Sequence, residues 1–595
     1  MAEAHALLVQ YERRMSELQA GFRQARFHGA LAAVLFAIAL AVFLMLGLLA
    51  FRQQVSFPWL ALPVPLAVES ARRLRRCWHS RSRMGRLRGF YDRAIRRVKG
   101  NWVGAGASGE EFGEPGHAYA KDLDIFGEGS LFELLCTART GIGQCGLADY
   151  LLEAPSVEET LSRQEAVREL RGQLDLRERL ALLGDAEFFE SKRETFAEWL
   201  DLPTASFGRS IRIAAFITSA LVAGTVVGGL TGLVPWIGVA IWIAPLVAFH
   251  SAVGLVFRNR VNRMIVRLRP VSSETQVLRE GLRLLEHYRF QAPKLRQLAG
   301  QVRNGSKSVR KLERLLNALN ERNKEWFYSP SLFLLVGTQL CMAIEDWRIE
   351  HRAALRVWLD AWAEFEALNA LANYAYENPE NTFPEFSTEG ARFEAEGLGH
   401  PLLPRASCVG NDVQLNWESR FYVVSGSNMS GKSTLLRAIG LNAVLALAGA
   451  PVRARALRLS RLSVCASVSV VDSPLNGKSK FMAEVDRLRH TIQVALEGES
   501  VLFLIDEIFG GTNSRDRRVA AEAVVRTLVN QGAIGALSTH DLALTEIAAS
   551  DLRGVNVHTG SRDGSDPMDF DYRLKPGVTT EANAVAIARM AGVPI

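Results

Sequence analysis

The stretch "VVSGSNMSGKSTLL", residues 423–436, sets an apolar run against a glycine-punctuated loop and then a segment of helical texture. Its centre, "GSNMSGKS" at 426–433, fits the spacing G-x-x-x-x-G-K-[ST]. Gly426 and Gly431 allow the backbone to curl so that its N–H groups face phosphate oxygens, and the following helix adds the positive end of its dipole. Lys432 then reaches the β- and γ-phosphates, and the Ser433 hydroxyl ligates Mg²⁺. The expected nucleotide contacts are Gly426, Ser427, Asn428, Met429, Ser430, Gly431, Lys432, Ser433 and Thr434. The implied ligands are ATP and Mg²⁺.

Two further segments repeat the pattern of an apolar run ending in polar residues. "VLFLIDE", residues 501–507, delivers two carboxylates to the end of a buried strand. Asp506 is expected to hold the magnesium, and Glu507 to orient and deprotonate an attacking water. "GALSTHD", residues 535–541, brings His540 to a position where it can sense a γ-phosphate. An acidic pair at a strand end can simply cap a helix, and a lone histidine is more often structural. Beside the glycine loop, the hydrolytic reading outweighs both. From about residue 376, short β-type runs alternate with helical ones, which indicates an α/β domain with a largely parallel sheet.

Upstream the texture is different. Of the 595 residues 48% are hydrophobic, and the net charge is +7. Residues 29–51, "GALAAVLFAIALAVFLMLGLLAF", and 213–257 carry no Asp, Glu, Lys or Arg. A helix crossing the hydrocarbon needs about 20 apolar residues. The first run meets this, 54–68 is a shorter second candidate with Pro58, Pro63 and Pro65, and 213–234 and 236–257 form a pair hinged at Pro235. Arg13, Arg14, Arg23 and Arg26 precede the first hairpin, and Arg72, Arg73, Arg75 and Arg76 follow it. Arg209 and Arg212 precede the second, and Arg258, Arg260, Arg263, Arg267 and Arg269 follow it. Basic ends and nearly uncharged tips place the long segments on the cytoplasmic side of a membrane. Because topology accounts for much of the positive charge, that charge is not separate evidence for nucleic acid. The six cysteines form no C-x-x-C pair, which suits free thiols in a reducing compartment.

The order and texture of "GSNMSGKST", "GKSKFMAEVDRL", "LIDEIFGGTNSRD" and "STHD" resemble the MutS-type ATPases, relatives of the ABC ATPases. "DFDYRLKPGVTTEANAVAIARMAGVP", residues 569–594, is similar to that family's C-terminal segment, and "GHPLLP" at 399–404 resembles the start of its ATPase domain. Residues 130–170 and "FEALNALANYAYENP" resemble the two ends of its helical core. The resemblance implies an ATPase that works as a homodimer around composite sites. Ser479 would touch the γ-phosphate across the dimer, and Asp516 would lie at the same interface. ATP binding would close the pair and hydrolysis would open it.

The fold expected is therefore multidomain: an all-α helical core and lever with two transmembrane hairpins, followed by an α/β P-loop ATPase domain. The segments are a cytoplasmic helix (1–28), the first hairpin (29–68), a linker (69–128), the first part of the core (129–210), the second hairpin (211–257), the second part (258–375) and the ATPase domain (376–595). Ser427 and Ser430 replace the Pro and Gly usual in the family loop. Cys408 lies where the family places an aromatic that stacks on adenine. No mismatch-reading domain is recognisable. The basic stretch at 301–326, with Arg303, Lys307, Arg310, Lys311 and Arg314, could clamp double-stranded DNA through its phosphates or form a solvated helix face or a lipid contact. Two readings follow: a membrane-anchored ATP-driven clamp on DNA, in repair or recombination, and a membrane-anchored motor without mismatch recognition. An ABC transporter fits less well, because "SKFMAE" does not match the transporter signature.

Overall fold

The computed structural model describes residues 2–114, 116–184, 193–202, 209–321, 335–427, 429–468, 480–510, 513–549, 552–560 and 569–579. The chain forms two compact units. One comprises residues 1–136, 148–182 and 369–595, the other residues 137–147 and 183–368.

The first unit is built on a six-stranded sheet. Its strands are β4 (Phe421–Ser425), β6 (Ser463–Ser467), β7 (Val501–Asp506), β8 (Ile534–Thr539), β9 (Gly554–His558) and β10 (Lys575–Pro576), in the order β10-β9-β4-β8-β7-β6. All neighbours are parallel except β10 and β9. Every residue of β4 and β8 is buried, as a sheet covered on both faces requires. Helix Lys432–Ala448 covers this sheet and is buried at nearly every position, Asn442 included. Phe421, Phe503, Ile505, Leu528 and Leu544 form part of a further core cluster. Beside this sheet lies a smaller one, β1-β5-β2-β3, from Glu385–Phe386, Ala456–Leu459, Phe393–Leu398 and Asn411–Leu415.

The same unit carries an antiparallel helical hairpin, α1 (Ala2–Phe51) and α2 (Val64–Lys99). Added Cβ atoms at Gly21 and Gly29 would meet Met84 and Cys77 respectively, which fixes the register of the two helices. At its base Leu7, Tyr11, Phe90, Tyr91 and Ala94 pack with Ala181. Toward the tip, Leu31, Val34, Ile38, Leu44 and Leu48 of α1 are exposed.

The four expected membrane spans are not all reproduced. Among the described residues two helices are long and apolar enough to cross a membrane, one within α1 and one within Arg209–Leu230. The apolar opening of Trp236–His287 is shorter over its described part, Trp236–His250. Residues 54–68 are not a span. They form a 3₁₀ turn at Phe57–Ala61 and then the first turn of α2, which has Pro63 at its N-cap and a proline in its opening turn. Proline lacks the N–H that would continue a helix through this region. Only Val64–Val68 precede the charged Glu69 in α2, far fewer residues than a crossing needs.

The second unit is all-helical, with Arg193–Asp201, Arg209–Leu230, Trp236–His287, Pro293–Gln301, Gly305–Glu321 and most of Val336–Glu377. Trp199, Trp347 and His351 stack in its interior. The buried Arg348 pairs with Glu345 and donates to the carbonyl oxygens of Trp199, Leu200 and Leu202. Lys307, Lys311 and Arg314 lie on the exposed face of Gly305–Glu321, whose opposite face buries Val309, Leu312 and Leu316.

Candidate functional site

The register of the large sheet gathers the polar residues quoted above. Ser425, the last residue of β4, pairs with Thr539, and Asp506, the last of β7, pairs with Ser538. The glycine loop, Glu507 and His540 therefore leave the sheet at one edge, the carboxyl ends of parallel strands, where open α/β sheets bind ligands.

Both loop glycines are required by close approach. Gly426 has φ +155°, and an added Cβ would lie 2.7 Å from the carbonyl oxygen of Thr559. Gly431 has φ +96° at the N-cap of helix Lys432–Ala448, and a Cβ there would meet the Tyr572 ring at 3.1 Å. Ser430 is buried and ties the loop: its hydroxyl donates to the Ser427 carbonyl oxygen (2.8 Å) and lies 2.7 Å from the Thr559 hydroxyl. Serine at this place, a departure from the resemblance, thus has a structural use that a glycine lacks. Met429 is exposed at φ +69°. Asn428 lies outside the described residues.

Lys432 is buried, and its ammonium donates to the carbonyl oxygens of Gly426 (2.9 Å) and Ser427 (2.8 Å). Burial pushes its pKa down, against the opposing pull of Asp506 and Glu507. The Ser538 hydroxyl donates to Asp506. Glu507 has φ +53°, a conformation unusual for a residue with a side chain and one that clusters at functional sites. Its N–H donates to the Ser538 carbonyl oxygen at 3.1 Å, and its carboxylate lies 3.2 Å from Nδ1 of His540.

Of these groups Met429, Gly431, Lys432, Glu507, Thr559 and Tyr572 border a cleft of about 720 Å³. Lys432, Ser433, Thr434 and Glu507 supply polar groups to its lining, to which His400, Cys408 and Tyr572 also contribute. Sequence reasoning missed Ser538, Thr559 and Tyr572. The strand that carries Ser538 was legible, but no spacing rule pointed to these side chains. The Tyr572 carbonyl oxygen accepts from the Asn411 amide (3.0 Å), and Asn411 also accepts from the Leu574 N–H (2.8 Å). These two bonds hold an exposed aromatic at the rim beside the loop.

Asp516, expected at a dimer interface, is exposed in the first turn of helix Ser514–Asn530. Its N–H donates to the Asn513 side chain, whose amide donates back to its carboxylate. Ser479 lies outside the described residues. Among the described residues no group of three or more His, Cys, Asp or Glu could hold a metal unaided. The hydroxyl of Ser433 and the carboxylate of Asp506 are hard oxygen donors. They fit a magnesium ion that takes one or two protein ligands and completes its shell with phosphate and water. Chemically, the site can cradle a polyphosphate on loop N–H groups and a buried lysine, with a carboxylate–imidazole pair alongside.

Residues 422–595 match the family model for MutS domain V. The matched part begins on β4 and includes the glycine loop, Asp506, Glu507, His540 and Tyr572, while His400 and Cys408 of the cleft precede it. The chain is 34% identical over 267 residues to the DNA mismatch repair protein MutS 2 of Halobacterium salinarum, covering 44% of this chain and 29% of that protein. It is 34% identical over 298 residues to DNA mismatch repair protein MutS of Natronomonas pharaonis, covering 46% of this chain and 33% of that one. To the Lactobacillus acidophilus MutS it is 26% identical over 312 residues, 49% of this chain and 36% of that protein. The chain thus spans about a third of the length of the curated relatives it matches.

Proposed function

We propose that this chain is a magnesium-dependent ATPase that closes as a homodimer around ATP. The observation that carries the reading is the convergence of Lys432, Asp506, Glu507 and His540 on one edge of the sheet, beside the loop that precedes helix Lys432–Ala448. The loop N–H groups and the helix dipole would hold the β- and γ-phosphates, and Lys432 would exchange its two carbonyl partners for phosphate oxygens. Ser433 and Asp506 would hold the magnesium, which neutralises charge on the phosphates. Glu507 takes the proton as the water oxygen bonds to the γ-phosphorus and the bond to the β–γ bridging oxygen breaks. His540, with Nδ1 on Glu507, holds that carboxylate and keeps Nε2 for the γ-phosphate. Tyr572 supplies the aromatic face for adenine that Cys408 does not.

Ser479 and Asp516 of a second copy would complete the site, so turnover should rise with protein concentration. Steady-state hydrolysis measured from nanomolar to micromolar chain tests this. A specific activity independent of concentration, from a species that stays monomeric with ATP, would overturn the homodimer reading.

Closure on double-stranded DNA is supported by the names of the relatives and by the exposed Lys307, Lys311 and Arg314. A second reading, in which closure acts on a membrane or on protein partners without mismatch recognition, is favoured by the hairpin that shares the ATPase unit. In both, the apolar parts of α1 and of Arg209–Leu230 anchor the chain in the cytoplasmic membrane. Matched and mismatched duplexes titrated at several salt concentrations separate the two. A steep salt slope with preference for the mismatch supports the first, and negligible binding to both supports the second.

A further inference from the structure

Between α1 and α2 lies a groove of about 660 Å³, remote in sequence from the nucleotide cleft. Three arginines line it, Arg26, Arg75 and Arg81, and no carboxylate does. The rest of its wall is apolar or small, with Ala33, Phe36 and Leu74 among the contributors. The only acid of α2 near this level, Glu69, is paired with Arg73 outside the groove.

The order of these residues along the hairpin matters. The helices touch at Gly29 and Cys77, and nearer the tip Gly47 of α1 meets Leu60 of the 3₁₀ turn. Arg26 and Arg81 stand on the basic side of the first crossing, and Arg75 stands two residues to its tip side. Ala33 and Phe36 stand on the tip side, where the uncharged run of α1 continues. At 1.5 Å per residue, Arg26 and Phe36 are separated by about 15 Å along the axis. The guanidinium of Arg81 sits over the Phe22 ring at 5.4 Å, which holds it at the basic mouth. Trp78, 63% exposed, is at the same level, as aromatic residues at a membrane interface are.

We infer that this groove binds one anionic phospholipid, its phosphate between Arg26, Arg75 and Arg81 and an acyl chain along Ala33 and Phe36. The inference rests on the membrane anchoring proposed above. Arginine forks match phosphate geometry, and along α1 the wall passes from Arg26 to the uncharged Ala33 and Phe36 within about 15 Å, as a phospholipid passes from headgroup to chain. A soluble anion would use the arginines and leave the apolar half without a role.

The test uses the full chain in mild detergent, with native mass spectrometry after addition of phosphatidylglycerol or phosphatidylcholine. The wild type should retain phosphatidylglycerol about tenfold more than phosphatidylcholine. The variant Arg26→Gln/Arg81→Gln should lose that preference. Ala33→Trp, which fills the apolar half and leaves the arginines, should lose the retained lipid as well. Millimolar inorganic phosphate should not displace it. Unchanged retention in either variant, or displacement by phosphate, would overturn the inference. Preserved ATP binding in each variant verifies that it has folded. Sedimentation of the wild type with phosphatidylcholine vesicles separates the two levels. No association at all removes the anchoring itself, whereas association without lipid preference removes only the groove.

Discussion

Arg97, in the last turn of α2, and Glu377, at the end of the long helix Val336–Glu377, form a bidentate ion pair of 2.7 and 2.8 Å with both side chains buried. Glu377 is held a second time, because Arg405 donates to its carbonyl oxygen and to the Asn378 side chain. Arg405 opens the short turn Arg405–Ser407, which leads directly to Cys408 in the cleft wall. The hairpin base and the nucleotide cleft are therefore tied through one residue, Glu377, its carboxylate on Arg97 and its carbonyl oxygen on Arg405.

Removing one partner of such a buried pair strands a charge, which costs about 3–5 kcal/mol, whereas replacing both with apolar residues is often close to neutral. Arg97→Met should therefore lower the thermal unfolding midpoint of the full chain clearly, and Arg97→Met/Glu377→Leu should recover most of the loss. If the double variant is as unstable as the single one, the pair is not what holds these segments together. With the cleft wall loosened, the single variant should also bind ATP more weakly than the double.

Lys432→Ala removes the buried cation and should weaken ATP binding by about a hundredfold, since hydrogen bonds to charged groups are among the strong ones. Glu507→Gln should leave binding unchanged and lower kcat by about 10²–10⁴, the range of general-base catalysis. It should also accumulate a closed dimer visible in light scattering. Normal turnover by this variant would remove Glu507 as the base.

Tyr572→Ala should raise the Kd for ATP by roughly five- to a hundredfold, as loss of a base–aromatic stack does. Tyr572→Phe should restore it. Equal affinity in the alanine variant would mean that the ring only covers Gly431. Isothermal titration with ATP and with tripolyphosphate distinguishes the two, because tripolyphosphate has no base to stack.

The chemistry-bearing edge was legible because each motif ends a strand that is largely apolar up to its last one or two residues. Burial on both faces leaves such a run no other place in a parallel sheet. What the sequence did not disclose was side-chain closure across distant segments. Ser430 reads as a mere substitution until the Thr559 hydroxyl is seen beside it, and Tyr572 belongs to a loop with no periodicity of its own. The first hairpin misled for a related reason. Residues 54–68 have the composition of a membrane segment, but Pro58, Pro63 and Pro65 divide it into a 3₁₀ turn and the start of α2. Apolar content survives that interruption while helical length does not. The pair Arg97–Glu377, joining residues 280 positions apart, carries no local signal.

His400 gives the cleft wall a pH dependence of defined sign. Its imidazole is buried, and burial together with the neighbouring Arg453 pushes its pKa down to about 4. Its Nδ1 accepts from the Leu402 N–H at 3.3 Å, which further suits the neutral ring. In the unfolded chain the group titrates near its ordinary value of about 6.5. Between these values the unfolded state holds more protons, so stability is fully present above pH 6.5 and declines as the pH falls toward 4. At about 1.36 kcal/mol per unit, the decline reaches about 3 kcal/mol. Unfolding midpoints recorded at intervals from pH 7.5 to 4.5 should fall along this course, and ATP affinity should fall with them as the wall loosens. His400→Gln should be less sensitive over the same interval, because glutamine fills much of the space without taking up a proton. An equally steep decline in that variant would assign the dependence to other groups, with the cleft wall unaffected.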